Sequence, residues 1–184
     1  GYKRENKKYL QTNFTGEYQF DFLEGLSARG MYSYGIEDIL MDGHEYTYET
    51  YTYYPAIGET PEEYRVTGGS TNPWRERETR KIEKTNSQLG LNYGNIFGNH
   101  EIGALFLAER YETRERRVWV HAVPATNTLP LLYFNTMDTY DDSDFEEARI
   151  GYIARINYNY DNKYYLELSG RRDASWKFSP DQRV

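Results

Sequence analysis

Period-two alternation governs this chain. Between positions 149 and 160, Ile150, Tyr152, Ala154, Ile156, Tyr158 and Tyr160 are apolar or aromatic, while Arg149, Arg155, Asn157 and Asn159 take the odd positions. After Asp161-Asn162 the pattern resumes, with Tyr164, Leu166 and Leu168 against Tyr165, Glu167, Ser169 and Arg171. Successive strand residues point to opposite faces, so this pattern builds a sheet with one greasy side. Helical periodicity is nearly absent elsewhere. The chain is therefore all-β, and what matters is whether the greasy side meets a protein core or lipid.

Parity also fixes the turns. In 9–22 the apolar set is even (Leu10, Phe14, Tyr18, Phe20, Phe22), and in 26–40 it is even again (Leu26, Ala28, Tyr32, Tyr34, Ile36). A one-residue slip would flip a strand's whole apolar set, so the loop must be odd. The expectation is Leu23-Glu24-Gly25, pairing Phe22 with Leu26, with Gly25 left-handed. In 85–97 the set is odd (Leu89, Leu91, Tyr93, Phe97), and in 100–111 it is even (Ile102, Ala104, Phe106, Ala108). That change demands an even loop, which Gly98-Asn99 supplies. Leu105 and Leu107 make both faces of that strand apolar. The last hairpin keeps parity, so Asp161-Asn162-Lys163 is its loop and Tyr160 pairs with Tyr164. The reading is an antiparallel meander of about six strands in three tight hairpins, at about 9–40, 80–123 and 148–178. Two long polar connections, about 41–84 and 114–147, join them. Within these, "EYTYETYTYY" and "RRVWVHAV" are extended and continue strands.

Composition narrows the class. The 184 residues suffice for one domain. Mean hydropathy is −0.91, and no run approaches the roughly 18 apolar residues of a membrane helix. That excludes helical membrane proteins and leaves barrels open, because alternating strands keep average hydropathy low. Twenty tyrosines mark a folded chain suited to strands and interfacial belts. The net charge of −7 argues against nucleic acid as a partner. There is no cysteine, hence no thiol nucleophile and no disulfide framework. Compact soluble domains rarely carry structureless loops beyond roughly 15 residues. Short turns at one end and long loops at the other suit an outer-membrane barrel.

The segment "RIGYIARINYNYDNKYYLELSGRRDASWKFSPDQR" resembles the C-terminal barrel region of SusC/RagA-type TonB-dependent transporters of the bacterial outer membrane. Gly151, Tyr152, Arg155, Asn157 and Tyr158 match a Gly-aromatic-x-x-Arg-x-Asn-Tyr segment, and Arg171, Arg172 and Asp173 match an Arg-Arg-Asp that follows. The chain departs from that pattern at Ala174 and Trp176, where the family usually has Gly and a small polar residue. The resemblance implies an arc of a transmembrane β-barrel of about 22 strands, a nutrient importer of glycans or peptides. It implies lipid on the outer face, a SusD-type lipoprotein, the remainder of the barrel and a plug, and TonB acting through that plug. On this reading residues 1–184 are one barrel-wall piece of a longer protein, without the plug domain. An isolated piece is expected to self-associate through its unpaired edge strands, fold its sheet over, or persist only with the rest of the barrel. The rival is a soluble all-β binding module, for instance a carbohydrate-binding sandwich of two three-stranded sheets.

Candidate sites follow from that implied layout. Tyr46, Tyr48, Tyr51, Tyr53, Trp74 and Trp119 fall in or near the long loops and offer aromatic faces to a ligand, or pack against neighbouring loops. Arg29, Arg149, Arg155, Arg171, Glu17 and Glu37 share the polar face. They line the lumen of a barrel, or form the solvated face of a soluble sheet. The acidic run holds Asp138, Asp141, Asp142 and Asp144, weak calcium candidates without EF-hand spacing, expected as a solvated loop held open by like charge. His44, His100 and His121 are widely spaced, no catalytic constellation or cofactor motif occurs, and His100 reads as a plain surface residue. No enzyme is expected.

Overall fold

The computed structural model describes residues 1–124, 131–132 and 135–177. Eight strands follow one another: β1 (Tyr2–Gln19), β2 (Leu26–Glu45), β3 (Tyr48–Tyr54), β4 (Glu63–Ser70), β5 (Trp74–Phe97), β6 (His100–Pro124), β7 (Asn135–Tyr160) and β8 (Tyr164–Ser175). Six form one sheet in the order β1-β2-β5-β6-β7-β8, and β3 with β4 forms a separate two-stranded sheet. Among the described residues, the two three-stranded sheets of a sandwich are not formed. All three hairpins lie side by side in one meander.

The turns obey the parity argument, with one change of length. The β5–β6 loop is Gly98-Asn99, and Gly98 has φ 62° with Asn99 outside the left-handed region. That is the arrangement of a type II′ turn, which requires Gly first. The β7–β8 register runs from Arg149↔Ser175 to Tyr160↔Tyr164, as parity demands. Asp161 and Asn162 take φ 53° and 54°, and Lys163 N–H donates to the Tyr160 carbonyl at 2.9 Å. Asp and Asn tolerate this left-handed backbone because their short side chains bond locally. The first loop is longer than expected. Phe20 N–H donates to the Leu26 carbonyl at 3.0 Å, so the loop is Asp21 to Gly25 and Phe20, not Phe22, faces Leu26. Five is still odd, and the apolar faces stay matched. Gly25 is left-handed at φ 84°, and a Cβ there would lie 1.9 Å from the Gly94 carbonyl oxygen.

The long connections shrink to strand. β2 runs on to Glu45, β5 starts at Trp74, β6 reaches Pro124 and β7 starts at Asn135. The run "RRVWVHAV" is therefore the end of β6, whereas most of "EYTYETYTYY" is β3. The acidic run 137–147 is not a loop but the first half of β7. Residues 178–184 of the closing segment, with 125–130 and 133–134 of the second connection, lie outside the described residues.

The chain divides into two compact units. Unit 1 comprises 1–8, 38–81 and 116–143. Unit 2 comprises 9–37, 82–115 and 144–184. Unit 2 holds the three tight turns and the alternating hairpins. Among its described residues no hydrophobic side chain is buried. Its apolar face carries Phe14, Leu89, Phe106, Ile156 and Leu168, all exposed. Unit 1 buries Ile39 and Ala122, and its largest fully buried side chain is Arg75.

Candidate functional site

Each unit presents organised side chains, built in different ways. In unit 2 the β7–β8 register puts Gly151, Ile153, Arg155 and Asn157 on one face with Asp173, Arg171, Ser169 and Glu167. The other face pairs Ile156 with Leu168, Tyr158 with Leu166 and Tyr160 with Tyr164. On the polar face Arg171 bonds both oxygens of Asp173 (2.7 and 2.9 Å) and reaches Glu109 on β6 at 2.7 Å. Gly151 makes room for this triad. A Cβ there would lie 2.8 Å from Asp173 Oδ1 and 2.9 Å from Glu109 Oε1. The Gly and the Arg-x-Asp of the motif are thus parts of one device, a glycine notch under a three-strand ion lattice.

The other polar-face residues join partners the sequence did not nominate. Arg155 approaches Glu167 at 3.9 Å, and Arg149 pairs with Glu147. Arg29 lines a shallow concavity with Met31, Gln88, Gly90, Leu105 and Leu107. Glu37 lines another with Ser33, Lys84, Asn86 and Tyr111. Glu17 is exposed on β1.

The apolar face of unit 2 is a band with two distinct borders. At the turns it ends in aromatic clusters. Tyr18, Phe20 and Phe22 form one, with centroids 5.1 and 5.3 Å apart. His100 packs on Tyr160 at 4.9 Å and its Nδ1 lies 2.6 Å from the Tyr158 hydroxyl. His100 is an exposed surface residue, as expected, and also a member of this border cluster. The opposite border turns charged on the same face. Ala108 is followed at two-residue steps by Arg110, Glu112 and Arg114, and Arg114 bonds Glu146 of β7 at 2.5 Å. Tyr34 donates to Glu83 at 2.9 Å along this border.

Unit 1 gathers the aromatic candidates into three separate places. Tyr46 packs edge-on to His44 (4.5 Å) with the Arg75 guanidinium over its ring at 4.7 Å. His44 also meets Tyr2 at 4.0 Å. Its burial first, and then the Arg75 charge, hold its pKa below the ordinary 6.5. Tyr48, Tyr51 and Tyr53 sit on β3. The Tyr51 and Tyr53 hydroxyls donate to Glu49 and Glu62 (2.5 and 2.7 Å), which pushes both phenols up. Trp74 and Trp119 come together around His121, at 6.4 and 6.0 Å.

Asp138, Asp141 and Glu146 of the acidic run have partners across the ladder. His121 Nδ1 lies 2.7 Å from Asp138, and Arg117 bridges Asp141 (2.7 Å) and Glu78 (3.1 Å). The hydrogen bond from His121 holds Asp138 below the usual carboxylate range. Like charges are tolerated in an extended strand because neighbouring strands supply their counter-charges. The calcium candidates Asp138, Asp141, Asp142 and Asp144 therefore do not converge, and among the described residues no three acidic or imidazole groups form a metal cluster.

His121, Glu45 and Glu109 are site residues that the pattern reading passed over. One signal for His121 was available. Extending the register of the Gly98-Asn99 turn brings Trp74 to within two residues of it.

No protein-family model and no curated protein matches the sequence. Solved structures do. The RagAB peptide transporter matches 98% of this chain with a TM-score of 0.74 at 18% identity. RagAB peptide importer structures in the 'open-open' and 'closed-closed' states match the same share with TM-scores of 0.72. The fold is that of a RagAB segment. The chain spans 19% of the length of those RagAB chains. The RagAB likeness thus carries the meander with its long strands, while the ion lattice and aromatic clusters are read from this chain's own side chains.

Proposed function

We propose that this chain is a stretch of barrel wall from a TonB-dependent outer-membrane importer of peptides or glycans, working with a plug and a SusD-type lipoprotein. The observation that carries the reading is the apolar band of unit 2. It is continuous over neighbouring strands, exposed, edged by aromatic clusters at the turns and by charge at the other border. A protein that kept such a band in water would aggregate, because exposed apolar patches of this kind mark contact surfaces. A bilayer covers it without further cost, and aromatic residues favour the border of the hydrocarbon. The likeness to RagAB supports the same reading.

In this role the wall does no chemistry. The outer face holds position in lipid. The polar face, with Arg155, Arg171, Glu109 and Asp173, lines the lumen and sets its local charge. Arg29, Arg149, Glu17 and Glu37 belong to that lining. The segments of unit 1 stand outside the hydrocarbon, where substrate and lipoprotein first arrive.

These 184 residues contain no cysteine, so single cysteines can be placed in them once any elsewhere in the full-length protein are replaced. Single cysteines at 153–158 on β7, spin-labelled in the full-length protein in outer membranes, should alternate. Labels at 154, 156 and 158 should be relaxed by oxygen dissolved in lipid, and labels at 153, 155 and 157 by a water-soluble nickel chelate. Equal access of the chelate to both sets would remove the membrane-wall reading.

A further inference from the structure

Unit 1 carries an aromatic surface specific enough to name a guest. The Trp74 indole lies over Gly43 of β2, where a Cβ would sit 2.8 Å from ring atom Cζ3 and 2.9 Å from Glu76 Oε1. Trp74 Nε1 donates to Glu45 at 2.9 Å, which fixes the ring's rotation. His121 follows with its plane 24° from that of Trp74, and Trp119 with its plane 34° from that of His121. Asp138 fastens His121 at 2.7 Å. The result is a row of three half-buried rings, Trp74 stacked on His121 and Trp119 tilted against it, two of them pinned by carboxylates.

The charge around the row is unbalanced. Glu45, Glu76, Glu78, Asp138 and Asp141 stand beside three cations: Lys3 pairs with Glu76 (2.7 Å), Arg117 with Glu78 and Asp141 (3.1 and 2.7 Å), and Arg75 donates to the Glu45 and Trp74 carbonyls (2.7 and 2.8 Å). The Glu45 and Asp138 carboxylates themselves meet a neutral indole and an imidazole. Flat rings with carboxylates at their edges suit a planar, weakly hydrated cation that stacks and donates in its own plane. Guanidinium has that chemistry, and ammonium has the charge without the plane. A neutral sugar can lie on an indole but gains nothing from the excess of negative charge.

We propose that the Trp74–His121–Trp119 row is a subsite for an arginine side chain of an extended peptide. The proposal deepens the importer reading and rests on it. The test uses the full-length protein in nanodiscs. The probes are a Gly/Ser hexapeptide with two arginines, the same peptide with citrulline in their place, and maltohexaose. The arginine peptide should bind about tenfold tighter than the citrulline peptide, the scale of one largely desolvated cation–π contact. Trp74→Ala and Trp119→Ala should each erase most of that ratio, and Trp74→Phe should keep part of it. The subsite is wrong if both alanine variants keep the wild-type ratio. It is also wrong if maltohexaose binds as tightly as the arginine peptide and weakens in the same variants. Membrane insertion, read as heat-modifiable electrophoretic mobility, separates the two failures. A wild-type protein that never inserts removes the importer reading and the subsite with it, and an inserted protein with an unchanged ratio in the variants removes the subsite alone.

Discussion

Unit 2 and unit 1 are cut from the same long strands, yet they settle their side chains by different physics. Unit 2 leaves large apolar side chains exposed on one face and organises ions on the other. Unit 1 buries Ile39, Ala122 and Arg75 and surrounds its rings with charge. On the membrane-wall reading proposed above, solvent explains the difference. A face that will meet hydrocarbon needs no inner layer, because the medium itself covers it. A segment that stays in water has to find its own partners, through cation–ring contacts, carboxylate pins and cross-strand ion pairs.

The sharpest way to break this contrast uses one strand. Phe106 and Val118 are both even positions of β6, and their exposures are nearly equal at 46% and 50%. Phe106 belongs to unit 2 and Val118 to unit 1. If lipid covers only the first, Phe106→Lys should cost about 2–4 kcal/mol of folding free energy in a bilayer, as for cations at mid-depth on a lipid face. Val118→Lys should stay within about 0.5 kcal/mol, as for an ordinary surface change. Urea titration of the full-length protein in lipid vesicles measures both. Equal costs would mean that the division between the units has no counterpart in their surroundings.

A second comparison stays inside unit 2 and asks whether its polar face is built or merely wet. Gly151 and Gly170 both lie in the β7–β8 ladder. A Cβ at Gly151 would run into Asp173 and Glu109, whereas nothing lies within 4 Å of one at Gly170. Gly151→Ala should therefore push the Glu109–Arg171–Asp173 triad apart and cost up to about 1 kcal/mol, the scale of a largely exposed ion pair. Gly170→Ala, with strand-compatible space, should be neutral or gain a few tenths of a kcal/mol. The same vesicle titration reads both. A harmless Gly151→Ala would show that the triad is loose enough to yield.

How much of this was legible beforehand follows the same division. Alternation is a local signal, so the hairpins of unit 2, their parity and two of the three loops could be read from spacing alone. The first loop begins two residues earlier than spacing suggests and ends at the same Gly25. Phe22 and Leu26 could face each other by pattern, and parity cannot separate a three-residue loop from a five-residue one. Unit 1 was hidden because its order is lateral. Asp138 and Asp141 look like an unstable acidic loop until His121 and Arg117 stand on the next strand. Trp74 is far in sequence from Trp119 and His121 and meets them only when β5 and β6 run on beyond the alternating stretch. The Gly151 notch was visible as a motif residue, but its purpose needed the positions of Glu109 and Asp173.

The smallest effect concerns His44 and tests whether unit 1 holds its own structure in water. His44 is 6% exposed, between the rings of Tyr2 and Tyr46 and within the field of Arg75. Its pKa in the fold lies below the ordinary 6.5, whereas in the unfolded chain it returns to about that value. Below pH 6.5 the unfolded form binds the proton more readily, so stability rises with pH. The contribution of neutral His44 is present above about 6.5 and is lost as pH falls toward the depressed value. Protection of the amides in β2 near Gly43 and in β5 near Arg75, taken relative to the base-catalysed intrinsic exchange rate at each pH, should therefore fall between neutral and mildly acidic pH, while protection in the β7–β8 ladder does not. His44→Gln, which keeps polarity and cannot take up the proton, should flatten that dependence. An unchanged slope in His44→Gln would assign the acid sensitivity to other groups and leave the Tyr2–His44–Tyr46 stack a packing feature only.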